Sequence, residues 1–379
     1  MIYFVGLILA LLPAYLIRFR IFGLPTTLLE LLIVVFLLVS VAFINRGSIK
    51  KIKSLGRLNW AIILFVLAGI ISTAVSPQHS KALGELKAFI VEPVLFFYAV
   101  ILVFKSNEQL KIPLRWLLIG AGVISLFGIL QYFTYINLPL RFWGTGAEVE
   151  RISSFFDYPN ALALYLAPLF GYFFTLMISG YRLFKNRWIE WAGLALMGIG
   201  LLLTFSRGAW LALLASLGLL LWQKYGKKTL VPMILVIAVL LAFPAVRNRI
   251  ALGFSDPSSQ AHFDLMKIGA DKIAASPILG NGLYGFRTTL QQSGFTGEIL
   301  NYPHNIFLNF WLEMGLLGLI AFCDIIFLSW QKSKKRPEVL TLAASVFLLT
   351  MILQGLTDVP YFKNDLSILF WFMIAVAHI

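Results

Sequence analysis

Largely apolar segments follow one another along the whole chain, at roughly 2–17, 24–44, 58–75, 89–104, 114–134, 160–179, 187–205, 207–222, 229–245, 304–329, 339–357 and 366–379. In hydrocarbon a backbone must satisfy its own N–H and C=O groups, so such segments can cross a bilayer only as helices or as a closed barrel. Their length and continuity suit helices, which need about 20 residues to span the apolar core. The pattern predicts an all-α integral membrane protein of about twelve transmembrane helices, with residues 1–379 forming a single polytopic membrane domain. Of the residues, 60% are hydrophobic and 13% charged, against about 25% charged in a soluble domain. The first segment lacks a basic start and a small-residue cleavage site, so it reads as a retained span rather than a signal peptide. A single cysteine, Cys323, excludes internal disulfides.

A net charge of +14 could suggest nucleic acid, but its distribution argues for membrane lipid instead. With the N-terminus placed in the cytoplasm, the inside connections are 45–57, 105–115, 180–188, 223–229 and 330–338. These short stretches hold 18 of the 31 Lys and Arg, for example Lys50, Lys51 and Lys53, and Lys332, Lys334, Lys335 and Arg336. That is the positive-inside pattern, and anionic lipid is its natural partner. Both termini are then cytoplasmic and His304 lies outside. Arg18 and Arg20 fall outside in this scheme, against the trend.

Two outside connections are long, 137–158 and 246–303. The second is expected to be a large outside loop containing short amphipathic helices. Within it, Phe263, Met266, Ala270 and Ile273 follow helical spacing over His262–Ser276, and Asp264, Lys267 and Asp271 can pair along the same stretch. This predicts an amphipathic helix on the outer surface. It ends at Pro277, and Gly280, Gly282 and Gly285 read as turns. No internal repeat or low-complexity tract stands out.

Chemistry gathers at two places. Arg207 lies between two apolar runs in Thr204-Phe205-Ser206-Arg207-Gly208-Ala209-Trp210. An Arg at membrane depth costs about 2.5–3.5 kcal/mol on insertion scales, and its planar fork matches phosphate oxygens. The plainer alternative is a helix cap or a side chain reaching to headgroups. His304 opens Pro303-His304-Asn305-Ile306-Phe307-Leu308-Asn309, where the long loop meets an apolar segment. On a helix Asn305, Asn309 and Glu313 form one polar stripe. A neutral imidazole there could take a proton from a hydroxyl nucleophile, and a helix N-terminus favours its neutral form. The alternative makes the stripe packing glue and His304 a cap. Arg151, Arg247, Arg249, Arg287 and Asp358 are each weaker, and read singly as anchors or ion pairs; Glu92 lies in an apolar span with no evident partner in the sequence. No nucleotide-phosphate loop, His/Cys metal cluster or Ser/His/Asp hydrolase pattern occurs, so neither a cofactor nor a metal is expected.

The order Ser206-Arg207-Gly208-Ala209-Trp210, then Pro277-Ile278-Leu279-Gly280-Asn281-Gly282, then His304-Asn305 with Glu313, Gly315 and Gly318 resembles the O-antigen ligase and polymerase superfamily. The Arg151…Phe155…Pro159-Asn160 segment is similar to that family's upstream signature. The resemblance covers about 140–360. It implies a glycosyltransferase of the bacterial cytoplasmic (inner) membrane, with its active site on the periplasmic face. The donor would be an undecaprenyl-diphosphate-linked glycan and the acceptor a hydroxyl of lipid A–core or another glycan. His304 then matches the essential loop-end histidine and Arg207 the diphosphate-binding arginine, the two catalytic candidates. Asp358 falls where ligases carry an acidic residue. The family's R-x-x-x-W pattern at the start of the loop helix is here His262 and Met266, so a second cation would come from Arg249, Arg287 or Lys267. These three, with Arg151, Asn305 and Asp358, are the expected substrate-binding residues. A polysaccharide polymerase and a protein O-oligosaccharyltransferase share the same chemistry. A lipid-linked-sugar transporter would instead put its polar residues near the bilayer midplane.

Overall fold

The computed structural model describes residues 1–138, 150–251, 257–295, 300–335 and 338–379, without the side chains at 249 and 257–259. The chain is predominantly helical. In order come α1 (Ile2–Ala10), a hairpin of β1 (Arg18–Ile21) and β2 (Leu24–Thr27), then α2 (Leu28–Ser40), α3 (Arg46–Lys53), α4 (Arg57–Val75), α5 (His79–Glu85) and α6 (Glu92–Val103). Next are α7 (Lys111–Thr134), α8 (Pro159–Ile178), α9 (Arg187–Leu203), α10 (Arg207–Tyr225), α11 (Leu230–Ala242) and α12 (Pro244–Ala251). The last are α13 (Pro257–Ala275), α14 (Gly285–Gln292), α15 (Ile306–Lys335), α16 (Val339–Gln354) and α17 (Asn364–His378).

Six helices among the described residues are long and apolar enough to cross a membrane, or seven if the pair at Leu28–Phe43 and Arg46–Lys53, bent by 112°, counts as one span. Length and composition thus account for half of the twelve expected spans or slightly more. Other apolar segments form shorter helices, such as α16 and α17 with 16 and 15 residues. At 1.5 Å per residue these reach about 24 Å, short of a bilayer's apolar core. The first expected span is interrupted: α1 stops at Ala10 and a 3₁₀ turn covers Leu12–Leu16, because Pro13 has no N–H to continue the ladder. The hairpin was also absent from the sequence reading.

Two compact units divide the chain. The first holds Met1–Trp116, Ala261–Ser345 and Gly355–Ile379; the second holds Leu117–Gln260 and Val346–Gln354. In the first, α4 and α15 pack antiparallel. Ser72 Oγ, near the end of α4, donates to the Glu313 carbonyl early in α15, while Arg57 at the start of α4 pairs with Asp324 at 2.8 Å. Phe65, Phe97, Phe310, Phe322, Tyr361 and Trp371 fill this core, with Tyr361 donating to the Phe89 carbonyl and accepting from Trp371. In the second unit, α8 is buried on nearly every side.

The expected helix over 262–276 is present and starts earlier, at Pro257. Its buried stripe differs from the expected one. Leu265 and Ile273 pack on Phe286, Leu290 and Leu312, whereas Phe263 is 55% exposed. The helix therefore buries its apolar side against protein, and the exposed Phe263 lies off that stripe.

One break organises the loop. Gly315 lies inside α15 at φ 67°, ψ −178°, which opens the helical ladder. The Ile278–Asn281 backbone crosses this gap. Asn281 N donates to Leu312 O at 2.6 Å, and Leu316 N donates to Ile278 O at 3.0 Å. Backbone groups freed by the break are thereby satisfied, as burial demands. The approach leaves no room for side chains: a Cβ on Gly280 would lie 2.6 Å from Trp311 O, and one on Gly315 2.5 Å from Ile278 O.

Candidate active site

The first unit brings three titratable side chains together from distant parts of the sequence. Asn305 caps α15, its Oδ1 accepting from Phe307 N at 3.0 Å and Leu308 N at 3.1 Å. Its Nδ2 donates to Leu356 O, and Ile306 N donates to Gly355 O at 2.7 Å. The start of α15 is thus stitched to the turn that carries Asp358. His304, just before the cap, has φ 52°. A left-handed backbone costs a non-glycine residue about 1–3 kcal/mol and is maintained by its surroundings, frequently at functional sites. Here it holds the ring against Asp358, with Nδ1 3.4 Å from Oδ1. Both ring nitrogens are buried and neither makes a hydrogen bond among the described residues, the approach of Nδ1 to Asp358 being an ion-pair distance. His262, from α13, stacks on the His304 ring with centroids 3.8 Å apart and planes 11° apart.

Asp358 is buried and also accepts from Val359 N at 2.8 Å. Burial pushes its carboxyl up, but the His304 ring at its edge and the charge of His262 hold it below the usual aspartate range. A proton on Nδ1, the nitrogen nearer that carboxylate, leaves Nε2 as the lone-pair nitrogen. The trio can therefore hold an oriented imidazole with one basic nitrogen free.

The polar stripe expected below His304 resolves into separate duties. Asn305 is the cap, and the Asn309 side chain is fully buried without a hydrogen-bond partner among the described residues. Glu313 faces the loop, where its Oε1 accepts from Phe286 N at 3.0 Å at the start of α14. A carboxyl oxygen there satisfies an amide that the first turn of α14 leaves without a helical partner. Arg287 follows on α14 and donates to Asn301 at 2.8 Å. Lys267 is exposed on α13. Arg249 lies on α12, and its side chain falls outside the described residues.

In the second unit, Arg151 works on the turn that carries Arg207. Its Nε donates to Thr204 O at 2.8 Å and its Nη2 to Asn160 Oδ1 at 2.7 Å. Gln131 fixes the adjoining Ser153 and Ser154 amides, and Trp210 Nε1 donates to Leu201 O. Ser154 and Phe205 both have positive φ, 54° and 49°, so this unit also stores strain next to its signature residues. Arg207 is the first residue of α10, half-buried. Arg151 thus has a positioning task that the sequence reading, which expected a substrate contact, did not include.

Sequence reasoning missed His262 as a site residue. The signal was present: His262 stands where the resembled family carries the arginine of its R-x-x-x-W pattern.

Fold and site together define a polytopic helical membrane protein with a buried imidazole–carboxylate pair at one end of its helices. A family model described as O-antigen ligase matches residues 192–323, which runs from α9 to Cys323 in α15. The protein is similar to an O-antigen ligase of Pseudomonas aeruginosa, at 30% identity over 295 residues, covering 75% of this chain and 66% of the relative. The chain thus spans just under two thirds of that relative's length. Both likenesses lie within the O-antigen ligase superfamily.

Proposed function

We propose that this protein is a glycosyltransferase of the bacterial cytoplasmic membrane. It would move a glycan from undecaprenyl diphosphate to a hydroxyl of lipid A–core on the periplasmic face. The observation that carries this reading is the His304–Asp358 pair, held by a strained backbone in a chain similar to this superfamily. His304 Nε2 takes the acceptor's hydroxyl proton as its oxygen attacks the anomeric carbon. The new C–O bond forms opposite the breaking bond to the diphosphate, so the configuration inverts. Undecaprenyl diphosphate leaves with the bonding electron pair. Arg207 receives the diphosphate charge through its fork, which supplies the electrostatic role without a metal. Arg287, Arg249 and Lys267 are the loop cations proposed to assist, and Asn305 and Arg151 position the two signature turns. The large loop between α11 and α15 lies on the periplasmic side, and both termini are cytoplasmic.

The test is transfer from a purified lipid-linked donor in reconstituted membranes, with core lipid and a second lipid-linked repeat offered separately. Transfer to core lipid supports the ligase reading; elongation of the second repeat would make the protein a polymerase, and transfer to neither would remove the proposal.

Two variants sharpen it. Asp358→Asn should slow turnover on the order of 10²-fold, the scale of misplacing a reacting group by about 1 Å, with KM little changed. Wild-type turnover in this variant would leave His304 without need of its partner. The same substitution tests stability. A carboxyl held low in the folded state stabilises above its unfolded pKa, and that contribution is lost as pH falls through the lowered folded value. Thermal stability of Asp358→Asn should thus lie furthest below wild type near neutral pH, with the gap closing in strong acid. Arg207→Lys should lose activity on the order of 10²-fold, because a point charge replaces a bidentate fork; full activity in the Lys variant removes the bidentate contact.

A further inference from the structure

Arg18 and Arg20, which run against the charge pattern, lie on β1 of the hairpin. Pairing sets Arg18 opposite Thr27, Phe19 opposite Thr26, Arg20 opposite Pro25 and Ile21 opposite Leu24. Paired residues share a face and neighbours alternate. One face of the ribbon therefore presents Arg18 and Arg20, and the other Phe19, Ile21 and Leu24. The turn residues Phe22 and Gly23 both have positive φ, 49° and 81°, as a two-residue hairpin turn requires. At that tip Phe22 is fully exposed and Leu24 is 71% exposed.

The root of the hairpin is rigid. Leu28 N donates to Ile17 O, Glu30 forms a capping box with Thr27, and Glu30 also accepts from Thr26 Oγ1 and pairs with Lys87 at 3.3 Å. The root also fixes which end of the unit the hairpin occupies. The helical stretch that carries Lys87 begins where Gln78 donates to Thr288 on α14. It ends at Phe104, whose carbonyl accepts from Lys51 beyond the far end of α2. The hairpin is thus at the same end of the first unit as α14 and His304.

We propose that the β1–β2 hairpin is an amphipathic wedge seated in the lipid headgroup layer on the His304 side. Phe22, Leu24 and Ile21 enter the acyl boundary, and Arg18 and Arg20 bind lipid phosphates. Charge complementarity chooses the partner: an apolar ribbon face backed by two guanidinium groups matches an anionic lipid surface. This also explains why two cations sit on the side that the positive-inside trend leaves poor in them. The proposal does not depend on the transferase reading.

The chain has one cysteine, Cys323, so a Cys323→Ala background allows single-site labelling. An environment-sensitive fluorophore is placed on Phe22→Cys, and on Ser293→Cys as an exposed loop reference. The protein is reconstituted in vesicles of phosphatidylcholine alone, and of phosphatidylcholine with phosphatidylglycerol. The label at 22 should emit further to the blue than the label at 293, be quenched by nitroxide lipids and be shielded from aqueous iodide. The blue shift should be larger in the phosphatidylglycerol vesicles. Adding Arg18→Gln and Arg20→Gln should abolish that difference, and free inorganic phosphate should not restore it. Iodide access at 22 equal to that at 293, or a signal that follows protein density rather than lipid composition, overturns the proposal.

Discussion

His304→Ala should lower glycan transfer by about 10²–10⁴-fold, the span that general-base help normally contributes. The loss should fall on the chemical step. In single-turnover reactions with saturating lipid-linked donor, the rate should drop while donor binding stays near wild type. Near-normal turnover would remove His304 from the mechanism. A second variant separates chemistry from folding. His304 has φ 52°, a conformation glycine adopts without strain. His304→Gly should therefore be as inactive as the Ala variant yet melt no lower than wild type by more than about 1 kcal/mol equivalent, since relieved strain offsets the lost ring contacts. A protein that loses activity only because it unfolds would show the opposite coupling.

Gly315→Ala should strongly destabilise the first unit. Its φ 67°, ψ −178° falls in a region essentially reserved for glycine, costing other residues about 1–3 kcal/mol. The added Cβ would also lie 2.5 Å from Ile278 O and 3.0 Å from Leu279 O, and overpacking of this kind typically costs about 1–3 kcal/mol more. Both contacts are to backbone, which has no rotamer to move. A fall of about 3 kcal/mol or more in unfolding free energy is expected, with new proteolytic cuts in 276–295. Gly84→Ala is the control, since a Cβ there meets nothing within 4 Å and should be neutral or mildly stabilising. Equal behaviour of the two variants would mean that the loop does not depend on the break.

The apolar segments were legible because membrane insertion demands continuous hydrophobicity, and the helix at 262–276 because its charge spacing is local. The break at Gly315 was not. It lies within Met314-Gly315-Leu316-Leu317, where hydrophobicity continues unchanged on both sides, and only a glycine marks it. Pro13 was a visible stop inside the first segment, and hydrophobic length outweighed it in the reading. The buried stripe of α13 was misjudged since several helical faces of that stretch carry apolar residues, and which one packs is decided by Phe286 and Leu312. His304 and Asp358 were each visible as site candidates. Their approach, and that of His262, arises from tertiary packing across distant segments, on which periodicity is silent.

The bridging of Ile278–Asn281 across the gap in α15 sets the smallest piece that can be exchanged between relatives. Neither strand of this contact has its hydrogen bonds satisfied without the other. A chimaera that grafts a foreign loop onto this chain should therefore fail if its junction falls between 282 and 306. It should succeed when 277–316 travels as one cassette, carrying His304 with it and leaving Asp358 to be matched by the recipient.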